Sequence, residues 1–370
     1  MRQSNRICLD MHAPRAALQL VAGCAIALGA SSGPAAAANE TVVGWGWNGL
    51  GQLDTPTSLE GLRAIAAGSD HTLAVTDQGT VFAWGWNQAR QCNVPPGLSG
   101  VVSVAGGFSH SLALTADGSV VAWGGNAYGQ ISVPAVVQPF TAIAAGAYHS
   151  IGVLSNASIF CWGRNNYRQC EQPSALVAVS AVSAGLWHSA ATGQSGAIVA
   201  WGRNDMGQSA VPTGTPPAAE IACGFNHTLA RAADGSLHAW GSNADGQCTV
   251  PAGLGPAIAI AAGSDHSLAL LDDGTVVAWG QNDFTQCAVP TSAVPAMRIA
   301  CGRVHSLALV DGVPCPGDLN GSSAVDATDL TALLSVWGQP TTSNADINGD
   351  GVVGPTDLTA LLAAWGPCPN

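Results

Sequence analysis

Short apolar runs broken by polar turns dominate the chain, and their lengths predict strands rather than helices. Ile258-Ala259-Ile260-Ala261-Ala262-Gly263 predicts one strand, His266-Ser267-Leu268-Ala269-Leu270 a second and Thr275-Val276-Val277-Ala278-Trp279 a third. Asp273-Gly274 separates the last two, where glycine accepts the positive φ of a tight hairpin. A shorter fourth strand is expected over Cys287-Ala288-Val289, stopped by Pro290, because proline is tolerated at a sheet edge.

The pattern recurs with a fixed period. Trp-Gly pairs begin at Trp45, Trp84, Trp123, Trp162, Trp201, Trp240 and Trp279, each 39 residues after the last. His71, His110, His149, His188, His227, His266 and His305 keep the same spacing, as do Asn48, Asn87, Asn126, Asn165, Asn204, Asn243 and Asn282. Four short strands in ~40 residues make one propeller blade, so the expected fold is an all-β seven-bladed propeller over residues 39–313. The first unit opens at its third strand, Thr41-Val42-Val43-Gly44-Trp45, and the last ends at Leu307-Ala308-Leu309 without one. The N-terminal strand is therefore expected to complete the seventh blade and close the ring.

Composition agrees with radial stacking. Only 9% of residues are charged, against ~25% in an average globular chain, while 47% are hydrophobic and the mean hydropathy is +0.25. Inner strands covered on both faces account for that balance. The charge is 11 Arg, no Lys and 23 acidic residues, net -12 with a pI near 4.9. Scattered single arginines on an acidic chain argue against a nucleic-acid partner. Past the N-terminus no apolar run approaches the ~18 to 20 residues of a spanning helix, so no integral membrane segment is expected.

Residues 1–38 read as a signal peptide. Arg2, Arg6 and Arg15 precede an apolar stretch from Ala16 to Ala30, and Pro34-Ala35-Ala36-Ala37-Ala38 offers an Ala-x-Ala site that puts the mature N-terminus near Asn39. Val21-Ala22-Gly23-Cys24 also reads as a lipoprotein box, although apolar sequence continues past Cys24. Either way the protein is expected to be exported, to secretion or to the cell surface, where cysteines that can pair do so.

The repeat itself carries a resemblance. Ile260-Ala261-Ala262-Gly263, His266-Ser267-Leu268-Ala269-Leu270, Ala278-Trp279-Gly280, Asn282 and Gln286 resemble the repeat of the regulator of chromosome condensation superfamily, which implies a seven-bladed propeller. The trimmed 39-residue unit, with Gly129-Gln130 and Val133-Pro134 after Trp123-Gly124, is more similar to secreted bacterial members, among them a β-lactamase-inhibiting propeller. The signal peptide and acidic charge do not suit the nucleotide exchange of the founding member.

No motif points to catalysis. Seven repeat-equivalent histidines suggest metal ligation, but packed sheets lie ~10 Å apart, too far for neighbouring imidazoles to share an ion bonded at ~2 Å; a structural role is expected. Gly44-Trp45-Gly46-Trp47-Asn48-Gly49 matches a dinucleotide-binding pattern in letters only, because it ends a strand and opens no helix. Asp70 and Asp265 are the repeat-equivalent acids that a carbohydrate-active propeller would need at its channel.

Binding residues are sought in the loops. The turn before each His and the turn after each Trp-Gly share one face, where Phe108, Tyr148, Trp187 and Phe225 fall on four consecutive blades. Rigid rings give contact area at low entropy cost, and the inhibitor-like relatives carry binding aromatics on the same turns. Tyr128, Tyr167 and Phe284 extend the patch. The competing reading has these rings simply pack the channel mouth.

Nine cysteines follow the signal peptide. Cys92, Cys170, Cys248 and Cys287 share one repeat position and Cys223 and Cys301 another, too distant on separate blades for the ~7 Å Cα limit of a bridge. Cys161 and Cys170 are near enough in sequence to pair within one blade. Cys315 and Cys368 bracket the last segment and are expected to form a disulfide clasp.

That segment, 314–370, has its own 28-residue repeat: Asp318-Leu319-Asn320-Gly321-Ser322 recurs as Asp346-Ile347-Asn348-Gly349-Asp350, and Thr328-Asp329-Leu330-Thr331 as Thr356-Asp357-Leu358-Thr359. Oxygen donors at loop positions 1, 3, 5 and 12 are calcium spacing. The two sets are Asp318, Asn320, Ser322 and Asp329, and Asp346, Asn348, Asp350 and Asp357. The second has Gly351 at the sharp turn where the first has Ser323, so the first is expected to bind more weakly. Paired loops, each followed by one helix, resemble a dockerin. That resemblance implies a cohesin-like protein partner, met through Ala327 and Thr328 and through Pro355 and Thr356.

The chain therefore reads as an exported, noncatalytic binding propeller tethered through a calcium-loaded, dockerin-like helical tail, with an unknown protein on the propeller face. Two alternatives remain: a soluble inhibitor acting through the same face, and a carbohydrate-active or carbohydrate-binding component of an extracellular complex.

Overall fold

Each 39-residue unit folds into three antiparallel strands because its polar turns are spaced by five or six apolar-rich residues. The computed structural model describes residues 40–56, 59, 61–174, 178–310, 317–319, 324–338, 345–347 and 352–367. In the first blade the strands are Leu62–Ala67, His71–Thr76 and Val81–Gly85, and five more three-stranded sheets follow in order to Gly280. The seventh combines Ala296–Cys301 and His305–Val310 with the N-terminal Thr41–Gly46. Thr41 lies opposite Val310 and Gly46 opposite His305, so the first strand among the described residues closes the last blade. Every first strand carries a bulge, at Arg63 in blade one, which bends it at its outer end.

Among the described residues the expected fourth strand is absent. In the sixth unit the backbone of that segment is already satisfied locally: Asn282 Oδ1 accepts the Cys287 N–H and the Thr285 carbonyl accepts the Ala288 N–H. With its groups so engaged, the segment forms a polar-bonded loop and Val289 packs between blades instead.

Seven buried apolar clusters fill the spaces around the ring, and a separate one forms in the tail. Where blades meet, the conserved spacing of Trp, His and Gln within the chain acquires a reason. Ser111 Oγ and Trp123 Nε1 both donate to the Gln91 carbonyl, at 2.8 and 2.7 Å, pinning the inter-blade loop to the next blade. His71 Nε2 lies 3.0 Å from the same Ser111 hydroxyl. The hydroxyl spends its proton on Gln91, so the imidazole donates and its proton sits on Nε2. Equivalent His-hydroxyl bonds join five further blade pairs. Glycine is required beside this bond: a Cβ on Gly68 would collide with the His71 ring, and Gly85, at φ 101°, would drive one into the Asp70 carbonyl.

One blade breaks the apolar pattern. Buried Glu220 and Arg231 pair at 2.9 Å across adjacent strands, and Glu220 Oε1 also accepts the Ile260 N–H of the next blade. Burial pushes the Glu220 carboxyl up to about 7 against the pull of the Arg231 guanidinium.

In the tail, helices α1 (Ala327–Ser335) and α2 (Pro355–Ala363) pack around Val325, Leu333, Ala345, Val353 and Leu361. Strands Ala324–Val325 and Gly366–Pro367 pair antiparallel, joining the two ends of the segment. Among the described residues no helix is long and apolar enough to cross a membrane.

Candidate functional site

Strand direction gathers the His-preceding turns and the Trp-Gly turns at one mouth of the channel, and there the aromatic residues meet. Phe108 stacks on Tyr148 with centroids 5.3 Å apart, and Tyr148 on Trp187 at 5.2 Å. Tyr128 meets Tyr148 edge-on at 5.4 Å, Tyr167 meets Trp187 at 5.6 Å, and Trp86 meets Phe108 at 6.0 Å. The result is one row of rings across three consecutive blades, half-buried at its centre and exposed at Tyr128 and Tyr167. Phe225, placed with these residues by sequence, lines the channel, but among the described residues it meets no other ring. Phe284 packs instead on Trp47, at 6.4 Å, away from the row.

Arg164, which sequence reasoning missed, sits within this row. Its guanidinium carbon lies 4.5 Å from the Tyr128 ring centre, 4.4 Å from Trp187 and 5.9 Å from Tyr148. The missed signal is positional: residue 164 directly follows a Trp-Gly pair, where Arg203 also falls. Arg203 lies over Tyr167 at 5.3 Å and is held by Asp205.

Below the row, the channel of about 100 Å³ is lined by alanines and glycines of the first strands, with Cys223 and Cys301. Its walls are small because seven strands converge there. Burial pushes the Cys223 thiol up to about 12 and leaves Cys301 well above its ordinary range, so both are poor nucleophiles. The acids that a channel chemistry would use are committed elsewhere: Asp70 is bound by Arg303 and Asp265 accepts Gln247 Nε2 at 3.0 Å.

The seven histidines are wholly buried and contribute no ligand set; among the described residues no cluster of three or more His, Cys, Asp or Glu could hold a metal. Burial alone lowers His71 to about 4, and burial with a neighbouring imidazole lowers His266 to about 3. Cys161 and Cys170 form a disulfide with Cα atoms 5.0 Å apart. At the same repeat position Cys92, Cys248 and Cys287 donate to the carbonyls of Trp86, Ser242 and Gln281.

In the tail, position 12 of each loop is a fully buried carboxylate at the start of a helix. Asp329 accepts the Leu319 N–H at 2.8 Å and the Asp326 N–H at 2.9 Å, which draws the first loop's end back to its beginning beside Asp318. Asp357 accepts the Gly354 N–H at 2.8 Å. Two buried acids, each ending a loop that opens with another acid, Asp318 or Asp346, are the donor chemistry of a hard divalent cation and fit calcium. Asn320, Ser322, Asn348 and Asp350 lie outside the described residues, as do Cys315, Cys368 and residues 1–38. Ala327 and Thr328 open α1, and Pro355 and Thr356 open α2 at the equivalent place.

The family comparisons agree with both modules. The regulator of chromosome condensation (RCC1) repeat matches residues 62–91, 101–130, 140–169, 179–208, 218–247 and 257–286, and the dockerin type I domain matches 316–364. The chain is an RCC1-repeat propeller with a dockerin type I domain. The seventh RCC1 unit, split between the two ends of the ring, lies outside the six matched spans. No curated protein matches the chain. The RCC1 propeller is similar to the structure of Prp20p from Saccharomyces cerevisiae, described with its binding to Gsp1p and histones: 18% identity, 75% of this chain and 93% of that one, TM-score 0.66. Human WBSCR16 is similar over 74% of this chain and 99% of its own, at 18% identity and TM-score 0.61. The CRINKLY ectodomain of the Arabidopsis thaliana receptor kinase ACR4 is similar at 20% identity over 65% and 90%, TM-score 0.54. These likenesses show the fold.

Proposed function

We propose that this RCC1 propeller is an exported, noncatalytic binding protein that meets a protein partner with its aromatic channel mouth and is held by its dockerin domain to a cohesin-like module. The observation that carries the reading is the unbroken row Phe108, Tyr148 and Trp187, edged by Tyr128 and Tyr167, on adjacent blades. Such rings form energetic centres of protein interfaces, because they bury large area with few rotatable bonds. The match to RCC1 and dockerin families supports protein binding and dockerin-mediated assembly, and points to no catalytic family. Engagement of Asp70 and Asp265 within the protein speaks against a carbohydrate-cleaving channel.

Calcium, when bound, neutralises the loop carboxylates and supplies the attraction that holds each loop in its turn. Asp318 and Asp329 would hold it in the first loop and Asp346 and Asp357 in the second, with the backbone bonds to Asp329 and Asp357 orienting those carboxylates. Dockerin domains occur in extracellular assemblies, which agrees with the exported location read from residues 1–38.

The test is capture of partners from the producing cell's envelope and secreted fractions by the full chain, with calcium and with chelator, beside Trp187→Ala and Asp329→Ala/Asp357→Ala variants. Capture lost with chelator and with the paired Asp variant assigns anchoring to the tail. Loss of a second, calcium-independent partner with Trp187→Ala assigns recognition to the propeller mouth. Capture indifferent to all three overturns the proposal.

A further inference from the structure

Four of the eight arginines among the described residues hold a carboxylate: Arg203 has Asp205, Arg303 has Asp70, Arg231 has Glu220 and Arg168 has Glu171. Arg164 is at the channel mouth and has none. Among the described residues no carboxylate lies within ion-pair distance of it, and its buried Nε has no hydrogen-bond partner. Arg63, Arg90 and Arg298 also lack an ion pair among the described residues, but of these four only Arg164 lies over aromatic rings and only its Nε is buried without a partner.

The rings explain how it is held and leave its donors unused. Tyr128 and Trp187 lie 4.5 and 4.4 Å from the guanidinium carbon, so the charge rests against π-faces while the planar fork of N–H donors is not consumed by them. A guanidinium fixed this way has already lost much of its rotamer freedom, which lowers the entropy cost of a later bidentate bond. The group that matches such a fork in charge and shape is a carboxylate. Asp265, which accepts Gln247 and among the described residues pairs with no arginine, disfavours an acidic contact at its own blade and so favours one at Arg164.

We infer that Arg164, framed by Tyr128, Tyr148 and Trp187, receives an Asp or Glu side chain of the protein partner and sets the register of that partner on the propeller. The inference rests on the mouth being the partner-binding face. A neutral or basic segment would leave the fork desolvated and unpaired, so the site selects against it as well as for an acid.

The experiment selects short random peptides, displayed as a library, on the immobilised full chain. Enriched peptides are expected to share one Asp or Glu, and its replacement by Asn or Gln is expected to weaken binding by about tenfold or more. The same replacement is expected to change nothing on Arg164→Gln, while Arg164→Lys, which keeps charge without the fork, recovers part of the affinity. Enriched peptides that lack a shared acid, or bind Arg164→Gln as well as the parent, overturn the inference; so does a selection that enriches nothing. If Trp187→Ala weakens those acid-free peptides, the mouth remains the binding face and only the carboxylate is lost. If neither variant weakens them, both readings fall. Thermal melting of each variant confirms that the ring is intact.

Discussion

Arg303 Nη2 bonds Asp70 Oδ1 at 2.9 Å and so joins the last blade of the ring to the first. This junction is the seam of the propeller, and it lacks two bonds that recur elsewhere. Among the described residues His305 Nε2 and Trp84 Nε1 have no partner, where the other six repeat histidines reach a hydroxyl and the other six repeat tryptophans reach a Gln carbonyl. The ion pair, with the Arg303 N–H donating to the Ser69 carbonyl, replaces them at the mouth. The Asp70 side chain is only 6% exposed, so removing its partner leaves a nearly buried charge.

Arg303→Gln is therefore expected to cost about 1–3 kcal/mol. Removing the exposed Arg203–Asp205 pair is expected to cost about 0–1 kcal/mol. Urea unfolding of the two variants measures the difference, and hydrogen exchange at the Arg303 amide reports whether the loss is local to the seam. Equal costs for both pairs would show that the seam does not depend on Asp70.

The mouth aromatics give a second expectation. Tyr148→Ala and Trp187→Ala remove rings from the centre of the row, and both should weaken partner capture by about tenfold or more. Phe284→Ala removes a more exposed ring that touches only Trp47 among the described ring contacts, and should leave capture unchanged. The three variants are compared in the same pull-down, with melting temperatures as the control for folding.

What the sequence made legible was whatever the chain repeats. Trp123, His71 and Gln91 recur at 39 residues because each serves one contact used at almost every blade junction, so period alone exposed the ring, its seven blades and the closing strand. Features made once left no such trace. The Arg303–Asp70 pair spans 233 residues and exists only because the ring closes. Arg164 among the rings depends on how neighbouring blades sit beside one another, and the same geometry parts Phe225 from Phe108, Tyr148 and Trp187 although these four share a repeat turn. The fourth strand failed for a different reason: apolar Cys287-Ala288-Val289 looks like a strand, but Asn282 and Thr285 had already taken its backbone donors.

Acid stability follows from the histidines. Burial holds all seven at about 3 to 4 in the folded ring, below their ordinary 6.5. Between those values the unfolded chain binds more protons than the folded one, so stability is full above about pH 6.5 and falls as pH drops through that window. Glu220, raised from 4.5 to about 7, runs the other way: the folded state gains stability as pH falls from 7 towards 4.5, one group against seven. Urea unfolding from pH 8 to pH 4 should thus show steep loss of stability with net proton uptake. His149→Gln should make that slope shallower by about one proton, whatever it does to stability at pH 8.

Calcium should act on the tail alone. Asp329 and Asp357 are fully buried, and each ends a loop that begins with another acid, so without a cation the carboxylates of a loop repel one another. Chelator is expected to abolish a separate, calcium-dependent thermal transition and leave the propeller transition where it was. Asp357→Ala removes the end of the loop that keeps Gly351, and should weaken the tighter of two calcium binding steps; Asp329→Ala, in the loop with Ser323, should weaken the looser one. Calorimetric titration of calcium into the two variants separates these steps. A single step lost in both variants would mean that the loops bind as one unit, and that Ser323 does not set them apart.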